Sequence, residues 1–208
     1  MEFLFKILFV GEAGVGKTAL IRRYVDNVFS YKYRYTIGVD FALKVVDLDE
    51  KTTVRLQLWD IAGQERFGVM TRVYYKESAA CVIAFDITER RTFEAAKKWK
   101  ADLDSKVHLP NGDPVPCILV ANKCDLEPRP VPREEIDQFV RDNGFVDWFE
   151  TSAKDAINVD KAMKFLIYKV LNSNPGISVE DDEAFRLDDE GSLAGASSSG
   201  SSSKKKCC

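Results

Sequence analysis

The stretch that most constrains this chain is GEAGVGKT at residues 11 to 18, where an apolar run, FLFKILFV, stops and a segment of helical character, ALIRRYV, starts. The same succession of strand and helix recurs along the chain. FLFKILFV, VRLQLW, AACVIAF and VPCILVAN are near-continuous apolar runs of the kind that form strands buried on both faces. Between and after them, helical periodicity predicts helices near 17–26, 66–76, 90–106, 133–143 and 158–172. Such alternation folds as a mostly parallel sheet with helices on both faces. Two successive strand candidates, about 39–48 and 53–60, are joined only by the polar LDEKTT, which puts one antiparallel hairpin into the sheet. With the strand-like WFE before TSAK, the expected class is α/β, a six-stranded mostly parallel sheet with one antiparallel strand.

GEAGVGKT matches GxxxxGK[ST] in the strand, loop, helix context that the pattern requires. Gly11, Gly14 and Gly16 let the backbone curl, so that the amides of the stretch from Gly11 through Glu12, Ala13, Val15 and Ala19 converge on a phosphate chain. The helix N-terminus adds partial positive charge there. Lys17 can reach β- and γ-phosphate oxygens, and the Thr18 hydroxyl can ligate Mg2+. Taken alone, the motif leaves an ATPase, a nucleotide kinase and a GTPase open.

Later loops address the base. VRLQLWDIAGQ is an apolar strand ending in Asp60, where a second carboxylate can complete the Mg2+ shell, and Gly63 follows where a backbone amide can approach a γ-phosphate. ILVANKCD delivers Asn122, Lys123 and Asp125 to a loop at the same sheet edge. Guanine presents two adjacent donors, N1–H and the 2-amino group, and the Asp125 carboxylate can accept both. Adenine would leave that carboxylate unpaired in a partly desolvated pocket, a large cost. Lys123 offers an aliphatic stem to cover the base face. In TSAK, Ser152, Ala153 and Lys154 follow another strand, and the Ala153 amide can donate to guanine O6. Their order, each at a strand end, favours guanine.

Composition narrows the partners. Thirty Lys and Arg nearly balance 33 Asp and Glu, and no basic stripe is interleaved with aromatics, so nucleic-acid binding is not expected. The five cysteines show no paired CxxC spacing, which fits a reduced, cytosolic protein and no zinc site. No apolar run reaches the roughly 20 residues that span a bilayer. The start, MEFLFKILFVGEAG, carries Glu2 where a signal peptide is basic and Lys6 within its apolar run, and reads as a first strand.

Over residues 4 to 172 these motifs together resemble the Ras superfamily of P-loop small GTPases. Within it the chain is similar to the Rab family, through IGVDF, WDIAGQERFG, VYYK and a terminal Cys-Cys. Ile61 in WDIAGQE, FALKV after IGVD, and DSKVHLPNG with WFETSAK resemble the subgroup that serves lysosome-related organelles and phagosomes. The resemblance implies a switch between GDP and GTP states. Thr36 would reach Mg2+ and the γ-phosphate, Gly63 would make the companion contact, Phe29 would touch guanine, and Gln64 would orient the attacking water. Both loops would relax when the γ-phosphate leaves. It implies slow intrinsic hydrolysis, raised in Ras itself about 10⁵-fold by an activating protein's arginine, or about 7 kcal/mol of barrier. Ala13 stands where Ras has glycine and many Rabs serine, close to where that arginine enters. Implied partners are an exchange factor, a GTPase-activating protein, a GDP-dissociation inhibitor, an escort protein, and effectors that read Phe41, Trp59 and Tyr74. From spacing alone those aromatics read as core.

A phosphotransferase acting on a small metabolite would need an acceptor lid with clustered arginines, which the sequence lacks; a nonhydrolysing scaffold of the same fold is the other alternative. His108, before LPNG, reads as a solvated loop residue, and Cys124 carries no sign of reactivity. A domain over 1–174 is expected to give way at 175–208 to a disordered tail, acidic from Glu180 to Glu190 and then rich in Ser and Gly. Nothing follows Cys208, so the ending is not a C-a-a-X box; in a Rab, Cys207 and Cys208 resemble the site of double geranylgeranylation. Two lipids hold a membrane where one is marginal, and Lys204 to Lys206 would lie against anionic headgroups. The expected address is the cytosolic face of lysosome-related organelles, phagosomes or endosomes, with a cytosolic pool.

Overall fold

The computed structural model describes residues 1–32, 34–64 and 71–173. The chain runs β1 (Glu2–Val10), α1 (Lys17–Asp26), β2 (Val39–Asp47), β3 (Thr53–Ile61), α2 (Thr71–Tyr75), β4 (Ala80–Asp86), α3 (Arg90–Lys106), β5 (Cys117–Asn122), α4 (Arg133–Asp142), β6 (Asp147–Thr151) and α5 (Val159–Asn172). The strands form one sheet in the order β2-β3-β1-β4-β5-β6, antiparallel only between β2 and β3, as expected from the sequence. Of the helix expected over 66–76, Thr71–Tyr75 is seen; Glu77 takes a left-handed φ of 61°, which ends it, and 66–70 lie outside the described residues. The tail from 175 onward also lies outside them.

The continuous apolar runs have a direct cause in β1. Phe5, Ile7 and Phe9 point to one side and meet Leu20 and Tyr24 of α1 and Leu166 and Ile167 of α5. Leu8 and Val10 point to the other and meet Trp99 and Leu103 of α3 and Ile136 of α4. With a core on each face, both alternate sets of side chains must be apolar. Strand β2, at the sheet edge, lacks the second layer, and Phe41, Leu43 and Val45 on one of its faces are 58 to 71% exposed.

Register then places the chemistry. Phe9 of β1 lies opposite Asp60 of β3, and Asp86, Asn122 and Thr151 form one row across the ends of β4, β5 and β6. The loops leaving the carboxyl ends of the parallel strands therefore share one edge, where open α/β sheets bind ligands.

Candidate nucleotide and metal site

A cleft of about 440 Å³ opens at that edge, lined by the 13–19 loop and helix start, Phe29, Thr36, Gly63, Gln64 and Lys123. Gly16, the N-cap of α1, has φ 98°, and a Cβ there would run into the Asn122 side-chain amide, so glycine is required. Lys17 is 6% exposed, and its Nζ donates to the carbonyls of Gly11 and Glu12 at 2.8 and 2.9 Å. Burial pulls its ammonium down to about 8, against the opposing pull of Asp60 and Glu12. A buried cation with only neutral carbonyls as hydrogen-bond partners is suited to an anionic group. Glu12 itself accepts from the buried Trp99 indole at 3.2 Å, which ties the loop to α3.

Three oxygen-bearing side chains from separate segments meet beside Lys17. Thr18 Oγ1 lies 3.0 Å from Thr36 Oγ1, and both hydroxyls donate to Asp60 Oδ2, that of Thr36 at 3.2 Å. Asp60 Oδ1 is buried and has no hydrogen-bond partner among the described residues. A buried carboxylate oxygen left without a partner is costly. Burial raises the Asp60 pKa, and the hydrogen bond from Thr18 and the charge of Lys17 only partly offset that. Hard oxygens about 3 Å apart match one edge of a Mg2+ octahedron with 2.0–2.1 Å bonds, so the residues present fit that ion. Gly63 closes the site from above, where a Cβ would overlap the Ala13 amide and the Glu12 carbonyl carbon. Gln64 beside it is exposed and lines the cleft.

The other end of the cleft is built from β5 and β6. Asn122, 1% exposed, donates from Nδ2 to the Val15 carbonyl at 2.8 Å and accepts at Oδ1 from Thr151 Oγ1 at 3.2 Å. The Ala153 amide, expected to donate to a base, here reaches Asn122 Oδ1 at 3.3 Å. Asn122 thus acts as a bracket between the phosphate loop and the 151–154 turn. Lys123 has φ 67°, pairs through Nζ with Asp86 at 2.5 Å, and lays its stem along the cleft. Asp125 accepts from Ser152 Oγ at 2.6 Å and from Lys154 Nζ at 3.4 Å. Burial pushes Asp125 up, but the Ser152 hydroxyl, a loop amide and Lys154 outweigh it, so the carboxyl stays below its usual range and ionised.

Phe29 packs on the α1 and α5 core and meets Tyr31 edge to face, rings 5.2 Å apart. Phe41 and Trp59, paired across β2 and β3, meet edge to face at 4.7 Å, and Trp59 and Tyr74 are half-buried on the other core. Phe41 is exposed, so the three do not sink into the interior as their spacing alone implied. Cys124 is half-buried and its thiol is pushed up by burial and Glu150, away from the thiolate form; His108 is exposed.

Sequence reading missed Asp86 and Thr151, which hold Lys123 and Asn122 in place. Asp86 ends an apolar strand as Asp60 does, and that parallel was the available signal. Tyr31, Lys32 and Tyr35 also line the cleft without any motif to announce them.

Comparison with known proteins agrees with this geometry. The model of the Ras family matches residues 6–172. Ras-related protein Rab-32 of Homo sapiens is 53% identical, covering 100% of this chain and 90% of its own. Ras-related protein Rab-7L1 of Homo sapiens is 56% identical over 83% of this chain and 85% of its own. Ras-related protein Rab-32A of Dictyostelium discoideum is 56% identical, with shares of 83% and 80%.

Proposed function

Because the chain belongs to the Ras family, as a Rab GTPase of the subgroup that holds Rab-32 and Rab-7L1, we propose specific roles for the residues around its cleft. As a Rab it binds GTP and GDP with Mg2+, hydrolyses GTP, and engages Rab regulators and effectors in membrane traffic. The meeting of Thr18, Thr36 and Asp60 beside the buried Lys17 carries the reading.

The amides from Gly11 to Ala19, with Glu12, Ala13, Gly14, Val15 and Gly16 between them, cradle the phosphates, and Lys17 gives up its two loop carbonyls for β- and γ-oxygens. Thr18, Thr36 and Asp60 would hold the metal, with the unpartnered Asp60 Oδ1 turned to use. Bound there, Mg2+ would supply positive charge to neutralise the phosphates. The Thr36 hydroxyl and the Gly63 amide hold the two loops only while a γ-phosphate is present, and that dependence is the switch. Gln64 orients the water. Asp125 accepts both guanine donors, Ser152 and Lys154 hold its carboxylate, the Ala153 amide serves O6, and Lys123 and Phe29 flank the ring.

Residues 1–174 form the GTPase domain, and 175–208 a tether with geranylgeranyl groups on Cys207 and Cys208. GDP-dissociation inhibitor and escort protein handle those lipids, and Phe41, Trp59 and Tyr74 present the effector surface. The site of action is the cytosolic face of lysosome-related organelles, phagosomes or endosomes, in exchange with a cytosolic pool. The deciding experiment is competition binding on purified protein: GDP should displace labelled GDP far better than ADP does, and equal displacement overturns the guanine reading. A Cys207→Ser/Cys208→Ser variant should leave the membrane fraction; its retention there overturns the anchor.

A further inference from the structure

At the sheet edge opposite the nucleotide cleft lies a larger hollow, about 1220 Å³ against about 440 Å³ for the cleft. The end of α2, the turn into β4, the loop after α3 and the end of α5 enclose it. Its walls are apolar: Val73 is 61% exposed, and Leu109, Pro110 and Pro116 stand across from it. A concave hollow with apolar walls and a few polar groups at its rim is the shape that seats a partner chain. The rim is basic, with Arg72, Lys76 and Lys106 against the single acid Glu77. Lys106 is held by Asp102 at 2.6 Å and Lys76 by Glu77 at 3.3 Å, whereas Arg72 makes no ion pair among the described residues.

We infer that this groove is the docking site of the chain's own residues 177–187. Ser173, the last described residue, is itself in the wall, so the next residues leave from the groove. Residues 180–190, EDDEAFRLDDE, hold seven acids and one base, the complement of the rim. Ile177 and Val179, then Phe185 and Leu187, recur two residues apart, so an extended chain turns each pair to one side. Those pairs seat on the apolar walls while the acids between them face Arg72 and Lys76. At about 3.3 Å per residue the chain reaches ~13 Å from Ser173 to Ile177 and ~40 Å to Phe185, enough to fold back along the hollow. Docking shortens the tether: its r.m.s. span falls from about 33 Å to about 25 Å, holding the domain nearer its membrane. This inference rests on reading the segment beyond the domain as a tether.

Hydrogen–deuterium exchange on the unlipidated full chain loaded with GDP tests it, against a Phe185→Ser/Leu187→Ser variant. Amides of 72–79 and 107–111 should exchange about tenfold faster in the variant, and Arg72→Glu should speed 107–111 likewise. A synthetic peptide of residues 177–190 should restore the slow rates to the double variant. Equal exchange in variant and parent overturns the inference. So does slowing that survives the tail substitutions but is lost on dilution, which gives the groove to a second copy. Because no lipid is present, failure here leaves the membrane result with Cys207→Ser/Cys208→Ser untouched, and the two readings fall separately.

Discussion

At the base end of the cleft, Asn122 bonds to Val15 and Thr151, Lys123 pairs with Asp86, and Asp125 is clasped by Ser152 and Lys154. At the phosphate end, Lys17 has only loop carbonyls to bond, Asp60 Oδ1 has no partner among the described residues, and Thr36 reaches inward from an exposed stretch. One end is satisfied by protein alone, and the other by what it binds. Under the proposed roles the difference is a division of labour: preorganised groups would choose the base in either nucleotide state, while underpartnered groups would respond to the number of phosphates.

The largest effect should come from breaking the preorganised end. Asp125→Ala should cost about 10³-fold in affinity, since two charge-assisted hydrogen bonds are lost, and should cost GDP and GTP equally. Unequal losses, measured by competition binding, would show that the base end also senses phosphates. Next, Gln64→Leu should slow single-turnover hydrolysis about 10²-fold, the order seen when a reacting group is misplaced, with GDP affinity unchanged.

Lys17 gives a pH signature. Its pKa of about 8 lies below the ordinary 10.5, so the unfolded chain binds the proton more tightly, and the nucleotide-free protein gains stability as pH rises from 8 to 10.5. Phosphate binding needs the ammonium, so GDP affinity should fall up to about tenfold per pH unit above 8. Calorimetry in buffers of different ionisation heat should record proton uptake on binding near pH 8 to 9, and its absence would mean that Lys17 stays charged without nucleotide. The smallest effect is at Gly63, where an added Cβ pushes against Ala13. Gly63→Ala should change GDP affinity less than about threefold while reducing the affinity difference between GTP and GDP, because only the triphosphate needs that loop closed.

The sequence made the division partly legible. The strand runs and their order specify the sheet because both faces are buried, and only residue 33, residues 65–70 and the tail from 174 fall outside what is described. GEAGVGKT, Asp60 and NKCD stand out in the sequence because the phosphate, metal and guanine contacts proposed for them each demand particular groups at fixed spacing. Asp86 and Thr151 were not, since their roles depend on a register of neighbouring strands that one segment cannot state. Phe41 was misjudged by spacing for the same kind of reason: whether an aromatic on a strand is buried depends on whether a layer covers it, and β2 is uncovered on that face.

The three tryptophans give the molecule its own optical readouts. Trp59 sits half-exposed beneath the Lys6 ammonium, 3.6 Å from its ring centre, on the aromatic patch. Trp99 is sealed in the interior and bonded to Glu12, and Trp148 donates to Asp137 at the far edge of the sheet. Ligand exchange at the phosphate loop should therefore shift the emission of Trp99, and a protein docking on Phe41 should quench Trp59 alone, so that one cuvette can time the two events without any added dye.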